Sequence, residues 1–287
     1  MPRKFAADRP VTIFEPVSLA TLHPLTRLKQ LSRYADLLLT LSAHRLSVRY
    51  KQTRLGLLWA VLQPLLIMLA FTLVFALVGS PPSDGIPYAL FAYAALVPWT
   101  AFASGLANGT GSLTGHASLI TKVAFPRELL PVTYVVAATV DALLASVVLG
   151  GLMAWYQVAP GPALAWALVA LVLLAVWLTG TSLLLSAVNI RHRDVGLAVP
   201  ALLQVWMFVT PVVYPLSLAR QQLSAPLFTL YTLNPMAGIV DTFRRGTILG
   251  LGPDVPALLT ALGVSVVLLP VAYAYFKYAE QTMADVV

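Results

Sequence analysis

The chain has 287 residues, 59% of them hydrophobic and only 10% charged, with a formal net charge of +7 and no cysteine. A soluble domain carries about 25% charged residues, so this composition excludes a globular protein bathed in water on all sides, and the bilayer must be much of its solvent. Without cysteine there is no disulfide and no thiolate metal site.

The charge is unevenly placed. Residues 1–56 hold ten Lys/Arg against three acids (Asp8, Glu15 and Asp36), whereas residues 57–287 hold eight of each sign. The basic region abuts a hydrophobic span, so its counterparts are anionic membrane lipids and a cytoplasmic partner protein rather than nucleic acid. The start, MPRKFAADRP, lacks the apolar core of a signal peptide. The first hydrophobic span is therefore expected to be an uncleaved anchor with the N-terminus inside.

Residues 1–24 carry three prolines and no clear period, and read as a tail. Over 25–56, Leu28, Leu31, Ala35, Leu38 and Leu46 recur near helical spacing, with Lys29, Arg33, Asp36 and His44 on other faces. That pattern predicts an amphipathic helix along the inner membrane surface. A cationic block follows (Arg45, Arg49, Lys51, Arg54), and the chain then runs without a charge from Leu55 to Ser83. About 20 apolar residues cross a bilayer core, so residues 57–79 form the first span, and the cations at its start hold that end in the cytoplasm.

Alternation sets the remaining spans at about 88–111, 131–155, 164–188, 197–214 and 256–276, with a cytoplasmic tail at 277–287. In the second span, Gly105 and Gly109 form a GxxxG pair that permits close helix packing. The inner link SLTGHASLITKVAFPRELL reads as a short amphipathic helix and a proline that restarts the chain. The outer segment 215–255 is too apolar for a solvated loop and is broken at Asn234-Pro235; two short helices dipping into the outer leaflet are expected there. Inner segments so defined hold fifteen Lys/Arg and outer segments three (Arg220, Arg244, Arg245), in keeping with both termini inside. A full crossing by 221–240 is an alternative that the charges leave open. The fold class is thus an all-α integral membrane protein with six transmembrane helices, an N-terminal interface helix and outer re-entrant helices.

Catalytic machinery is not visible. There is no phosphate loop, the four histidines do not pair at metal-ligand spacing, and no span displays two carboxylates. Asp141 is the ionisable residue well inside a span. It reads either as a proton or substrate site, or as a carboxyl that is protonated or bonded to a neighbouring span. Trp99, Phe102, Gln204 and Trp206 lie at mid-depth and are candidates to line a channel or to pack helices together. A membrane body without an engine suits a passive subunit driven by a separate ATPase.

The segments Arg49-Tyr50-Lys51-Gln52 through Leu58-Trp59 with Gln63-Pro64, Lys122–Glu128 (KVAFPRE), Asn189–Asp194 (NIRHRD) and Asn234-Pro235 together resemble the type-2 ABC transporter permeases of the polysaccharide-export group, which move O-antigen, capsule or teichoic-acid chains. The resemblance covers nearly the whole chain from about residue 25. It implies a homodimer of six-span subunits, two copies of a cytoplasmic ABC ATPase that holds the ATP and Mg, no cofactor in this chain, and a lipid-linked glycan substrate. It places ATPase coupling around Arg49, Lys51 and Arg54 and at Lys122, Phe125, Arg127 and Glu128, and an outer gate at Asn234, Pro235 and Arg244. A permease for another lipid or drug, and an integral-membrane glycan- or lipid-modifying enzyme, are the alternative readings.

Overall fold

The computed structural model describes residues 34–51, 56, 58–79, 83–122 and 125–283. The chain divides into two units, Met1–Ala35 and Asp36–Val287, and the fold described here is that of the second. In order its helices are α1 Ala35–Lys51, α2 Leu58–Val78, α3 Tyr88–Thr110, α4 Ala117–Lys122, α5 Leu129–Trp155, α6 Leu164–Arg191, α7 Asp194–Phe208, α8 Leu216–Gln222, α9 Ala225–Thr232, α10 Pro235–Arg244 and α11 Val255–Glu280. No strand occurs among the described residues. Hydrocarbon offers backbone groups no partners, so a spanning segment must satisfy them internally, as a helix does.

Five helices are long and apolar enough to cross a membrane: α2, α3, α5, α6 and α11. The expected span at 197–214 differs. Its helix, α7, has 15 residues, a rise of about 22 Å against a core of about 30 Å. Pro211 lies beyond its end, where residues 209–214 leave the helix in turns; proline offers no N–H and crowds the preceding turn. The inner link does hold a short helix, α4, and the chain resumes as α5 three residues after Pro126. Between α7 and α11 there are three short helices rather than two, followed by a π-helical turn at Arg245–Leu249 that ends on Gly250 in the left-handed region (φ 64°). Of the expected interface helix, 25–33 and 52–55 lie outside the described residues, as do the tail 1–24 and residues 284–287.

The helix α3 is the axis of the core. Most of its residues are buried, including Tyr93, Phe91 and Phe102, and it packs on α2, α5, α6, α7 and α10. In lipid, helices associate through close packing rather than hydrophobic transfer, and the GxxxG pair serves that purpose. A Cβ on Gly105 would stand 2.6 Å from Leu178 of α6 and 2.9 Å from Ala138 of α5; one on Gly109 would stand 2.6 Å from Ser182 of α6. The peripheral helix α2 leaves most of its apolar surface open, with Leu77 89% exposed.

Side-chain contacts define two ends of the bundle. At one end Asn189 donates to the Thr110 carbonyl at 3.1 Å, and Arg127 and Arg191 reach the end of α11. At the other, the Tyr88 hydroxyl donates to the Val213 carbonyl (3.1 Å), the Ser217 hydroxyl to Asp84 (3.3 Å) and Arg220 to Asp254 (2.6 Å).

Candidate functional site

The first end gathers three segments that are far apart in sequence. The link between α4 and α5 supplies Arg127 and Glu128, the end of α6 supplies Arg191, the last turn of α11 supplies Lys277 and Glu280, and the turn after it supplies Thr282. Lys277 Nζ lies 2.7 Å from Glu128 Oε2 and 2.8 Å from Glu280 Oε2. Both Lys277 and Glu128 are buried. Arg127 donates to the Glu280 carbonyl at 2.9 Å, and Arg191 to the Thr282 hydroxyl at 2.8 Å. A buried charge persists only when paired and hydrogen-bonded, so these contacts tie the link to α11.

Of the residues expected there, Phe125 is buried and anchors the link, Arg127 is half-buried, and Lys122 ends α4 on an exposed position. Arg49 and Lys51 lie in α1, and Arg54 lies outside the described residues. Lys277 was missed by the sequence reading, which placed it in a tail beyond a span ending at 276; α11 instead runs to Glu280. The Lys277/Glu280 pair at helical i,i+3 spacing was the signal that could have shown it.

A cavity of about 270 Å³ of mixed lining opens between the α3–α4 turn and the α6–α7 turn, with Thr114, Asn189 and Arg193 beside Ala117, Ile190 and Leu197. Asn189 holds both turns: its amide reaches Thr110, and its oxygen accepts from the Gly196 N–H at 2.7 Å. That accounts for an asparagine at the head of the NIRHRD segment.

The second end is organised by Asn234 and Arg244. Asn234 caps α10, accepting from the Met236 N–H at 3.1 Å, and the proline after it occupies the first helical turn, where a missing N–H is harmless. The same side chain accepts from the Trp206 indole at 3.1 Å and donates to the Thr210 hydroxyl at 3.0 Å. Trp206 meets Phe102 edge-on at 5.2 Å, and Phe102 lies 5.8 Å from Trp99. Three residues expected as channel lining and one expected as gate are thus in one continuous contact chain.

Trp99 and Phe102 are closed inside the core of the chain, 3% and 0% exposed. Both rings pack inside the chain, Phe102 against Trp206 of α7. Trp206 is half-buried and Gln204 exposed.

Arg244 is 1% exposed. Its guanidinium lies 4.0 Å above the Phe91 ring and donates to the Pro211 carbonyl at 3.0 Å, so it satisfies the backbone where α7 stops. Its carboxylate partner is Asp241, 3.5 Å away, which also faces Arg245 at 4.0 Å. Burial lowers the Arg244 pKa and raises that of Asp241, and each is the other's main compensation. Asp141 is buried within α5.

The described residues contain no group of three or more His, Asp or Glu that could hold a metal. What they contain is an ionic junction at one end, a capped and arginine-anchored set of short helices at the other, and a helical body between. Residues 37–247 match the ABC-2 type transporter family model. The chain belongs to the ABC-2 type transporter family. It is a transport subunit, and the reading as a glycan- or lipid-modifying enzyme falls with that assignment. Relatives include an O-antigen export system permease from Myxococcus xanthus, 32% identical over 260 residues, which are 90% of this chain and 97% of the relative. Two O-antigen export system permeases from Klebsiella pneumoniae are 29% and 28% identical, over 74% and 73% of this chain and 82% and 79% of theirs.

Proposed function

We propose that this chain is the membrane-spanning permease subunit of an ATP-driven exporter that moves a lipid-linked, O-antigen-like polysaccharide across the inner membrane. The observation that carries the reading is the near end-to-end match to the Myxococcus xanthus O-antigen export permease. The physics agrees: each sugar hydroxyl taken into hydrocarbon without a partner costs about 4–8 kcal/mol on an alkane-like scale, so a glycan needs a protein-lined path. A homodimer provides room for one. Gln204, a polar side chain on an exposed face of α7, is better suited to such a path or to a second subunit than to lipid.

In this reading α7 and the turns at 209–214 together make the sixth crossing, the short helices α8–α10 form a re-entrant outer gate, and both termini are cytoplasmic. The end that carries Arg127, Glu128, Arg191 and Lys277 then faces two copies of a cytoplasmic ABC ATPase, which holds ATP and Mg, and α1 lies at the inner membrane surface. Arg193 and Lys122 at that end, against few cations at the other, support the orientation.

The test is recovery of the tagged chain from native membranes in mild detergent, followed by export assays with the charge reversals Arg127→Glu and Glu128→Arg. A phosphate-loop ATPase recovered about one-to-one, in keeping with a stoichiometric subunit of a stable complex, together with loss of export in inserted charge-reversed protein, is the expected result. Recovery of the chain alone, under conditions that preserve other membrane complexes, would overturn it.

A further inference from the structure

The family resemblance places coupling at the link between α4 and α5, yet that link does not stand alone. Glu128 is joined to Lys277 at 2.7 Å across 149 residues, Lys277 to Glu280 at 2.8 Å, and Arg127 to the Glu280 carbonyl at 2.9 Å. The attachment is buried on both sides, and the apolar residues around it, Phe276, Ala279 and Met283, are buried too. Screening by water and salt is weak there, so the junction does not loosen as a surface ion pair would.

The far end of α11 is also held. Asp254 caps it, accepting from the Ala257 N–H at 3.2 Å, and pairs with Arg220 of α8 at 2.6 Å. The first turn of α11 packs directly on α10: a Cβ on Gly238 would collide with the Ala257 carbonyl and lie 3.0 Å from the Ala261 Cβ. Midway, α6 lies against α11 at Gly180, where an added Cβ would stand 3.4 Å from the Leu269 Cα. A helix of 26 residues, about 39 Å at 1.5 Å per residue, is therefore fastened to the Glu128 link at one end and to the Asn234-capped helix at the other.

We propose that Lys277 is a positioning residue for transport. It locks the Arg127-Glu128 link to the last turn of α11, so that displacement of the link by the ATPase is carried along α11 to α10. The proposal rests on the exporter reading above and extends it by naming the element that joins the two ends. Packed rigid elements carry coupling between distant sites. Lys277 touches neither nucleotide nor glycan; it acts through Glu128.

The test uses the intact permease–ATPase complex in proteoliposomes, measuring glycan exported per ATP hydrolysed. Coupling between sites corresponds to about 5–150-fold effects, so Lys277→Met is expected to lower that ratio by about tenfold, with Lys277→Arg restoring most of it. Because the chain has no cysteine, the double variant Glu128→Cys/Lys277→Cys provides a second arm that does not depend on how Lys277→Met folds. It should couple poorly when reduced and recover when a short bismaleimide ties the two positions. Wild-type coupling in Lys277→Met, or a cross-linked double variant that stays inactive, would overturn the proposal. A wild-type complex that shows no ATP-dependent export would instead overturn the functional reading on which it rests.

Discussion

The Trp206 indole donates to the Asn234 side-chain oxygen across 3.1 Å, joining α7 to the cap of α10. Asn234 also supplies the cap bond to the Met236 N–H and a bond to Thr210, so one side chain satisfies groups from three places. Asn234→Ala removes a cap worth about 0.5–2 kcal/mol and leaves a partly buried indole N–H unpaired at about 1–3 kcal/mol. A loss of about 2–4 kcal/mol in detergent unfolding is expected. Trp206→Phe keeps the ring against Phe102 and removes only the donor, so its loss should be smaller. Equal losses would mean that the hydrogen bond shared by the two side chains, not the cap, holds the junction.

Arg244 is the buried cation of the short-helix region, stacked on Phe91 and bonded to the Pro211 carbonyl. Removing one partner of a buried ion pair typically costs about 3–5 kcal/mol, because the remaining charge is left uncompensated. Arg244→Met should therefore strand Asp241 and reduce the yield of monodisperse protein after detergent extraction. Arg244→Lys should recover little, since an ammonium cannot both lie flat on the ring and fork to the carbonyl. Wild-type thermal stability in Arg244→Lys would show that charge alone suffices.

Asp141 is buried in α5, and export is expected to survive its conversion to an amide. Asp141→Asn keeps the shape and a hydrogen-bonding side chain, so a structural carboxyl should tolerate the change with normal expression and transport. A severe, pH-dependent loss of export at normal expression would instead mark a proton or substrate site.

Much of the helical body was legible because length and apolarity suffice for a membrane helix: the bounds expected for the first two spans differ from α2 and α3 by a residue at most. The shortness of α7 was not, since residues 197–214 are apolar apart from Gln204 and Thr210 and only the placing of Pro211 hints at the stop. The fate of Trp99 and Phe102 was also hidden. Depth in a span can be read from sequence position, but whether a ring faces a path or a neighbouring helix depends on how closely α3 approaches α5 and α6. The junction at Lys277 pairs residues 149 apart, and no local pattern encodes such a pairing.

That close approach of α3 supplies a last expectation, because it separates glycines that look alike in sequence. At Gly105 an added Cβ meets the Ala138 Cβ at 2.9 Å as well as Leu178. Leu178 can turn aside at its tip, but a Cβ bound directly to the α5 backbone cannot. Gly105→Ala must therefore push α3 and α5 apart, and overpacking of this kind costs about 1–3 kcal/mol. At Gly109 the Ser182 hydroxyl can rotate aside, but the Ser182 Cβ at 3.0 Å is fixed to the α6 backbone, so alanine there is also overpacked. Gly151, in the interior of α5, has nothing within 4 Å of the same position; alanine there fills open space and removes the conformational freedom that makes glycine a poor helix residue, by about 0.5–1 kcal/mol. Unfolding of the three alanine variants in mixed detergent should place Gly151 at or above wild type and both Gly105 and Gly109 below it. If Gly105→Ala matched wild type, α3 would not be the tight axis of the bundle, and the enclosure of Phe102 beside it would lose its explanation.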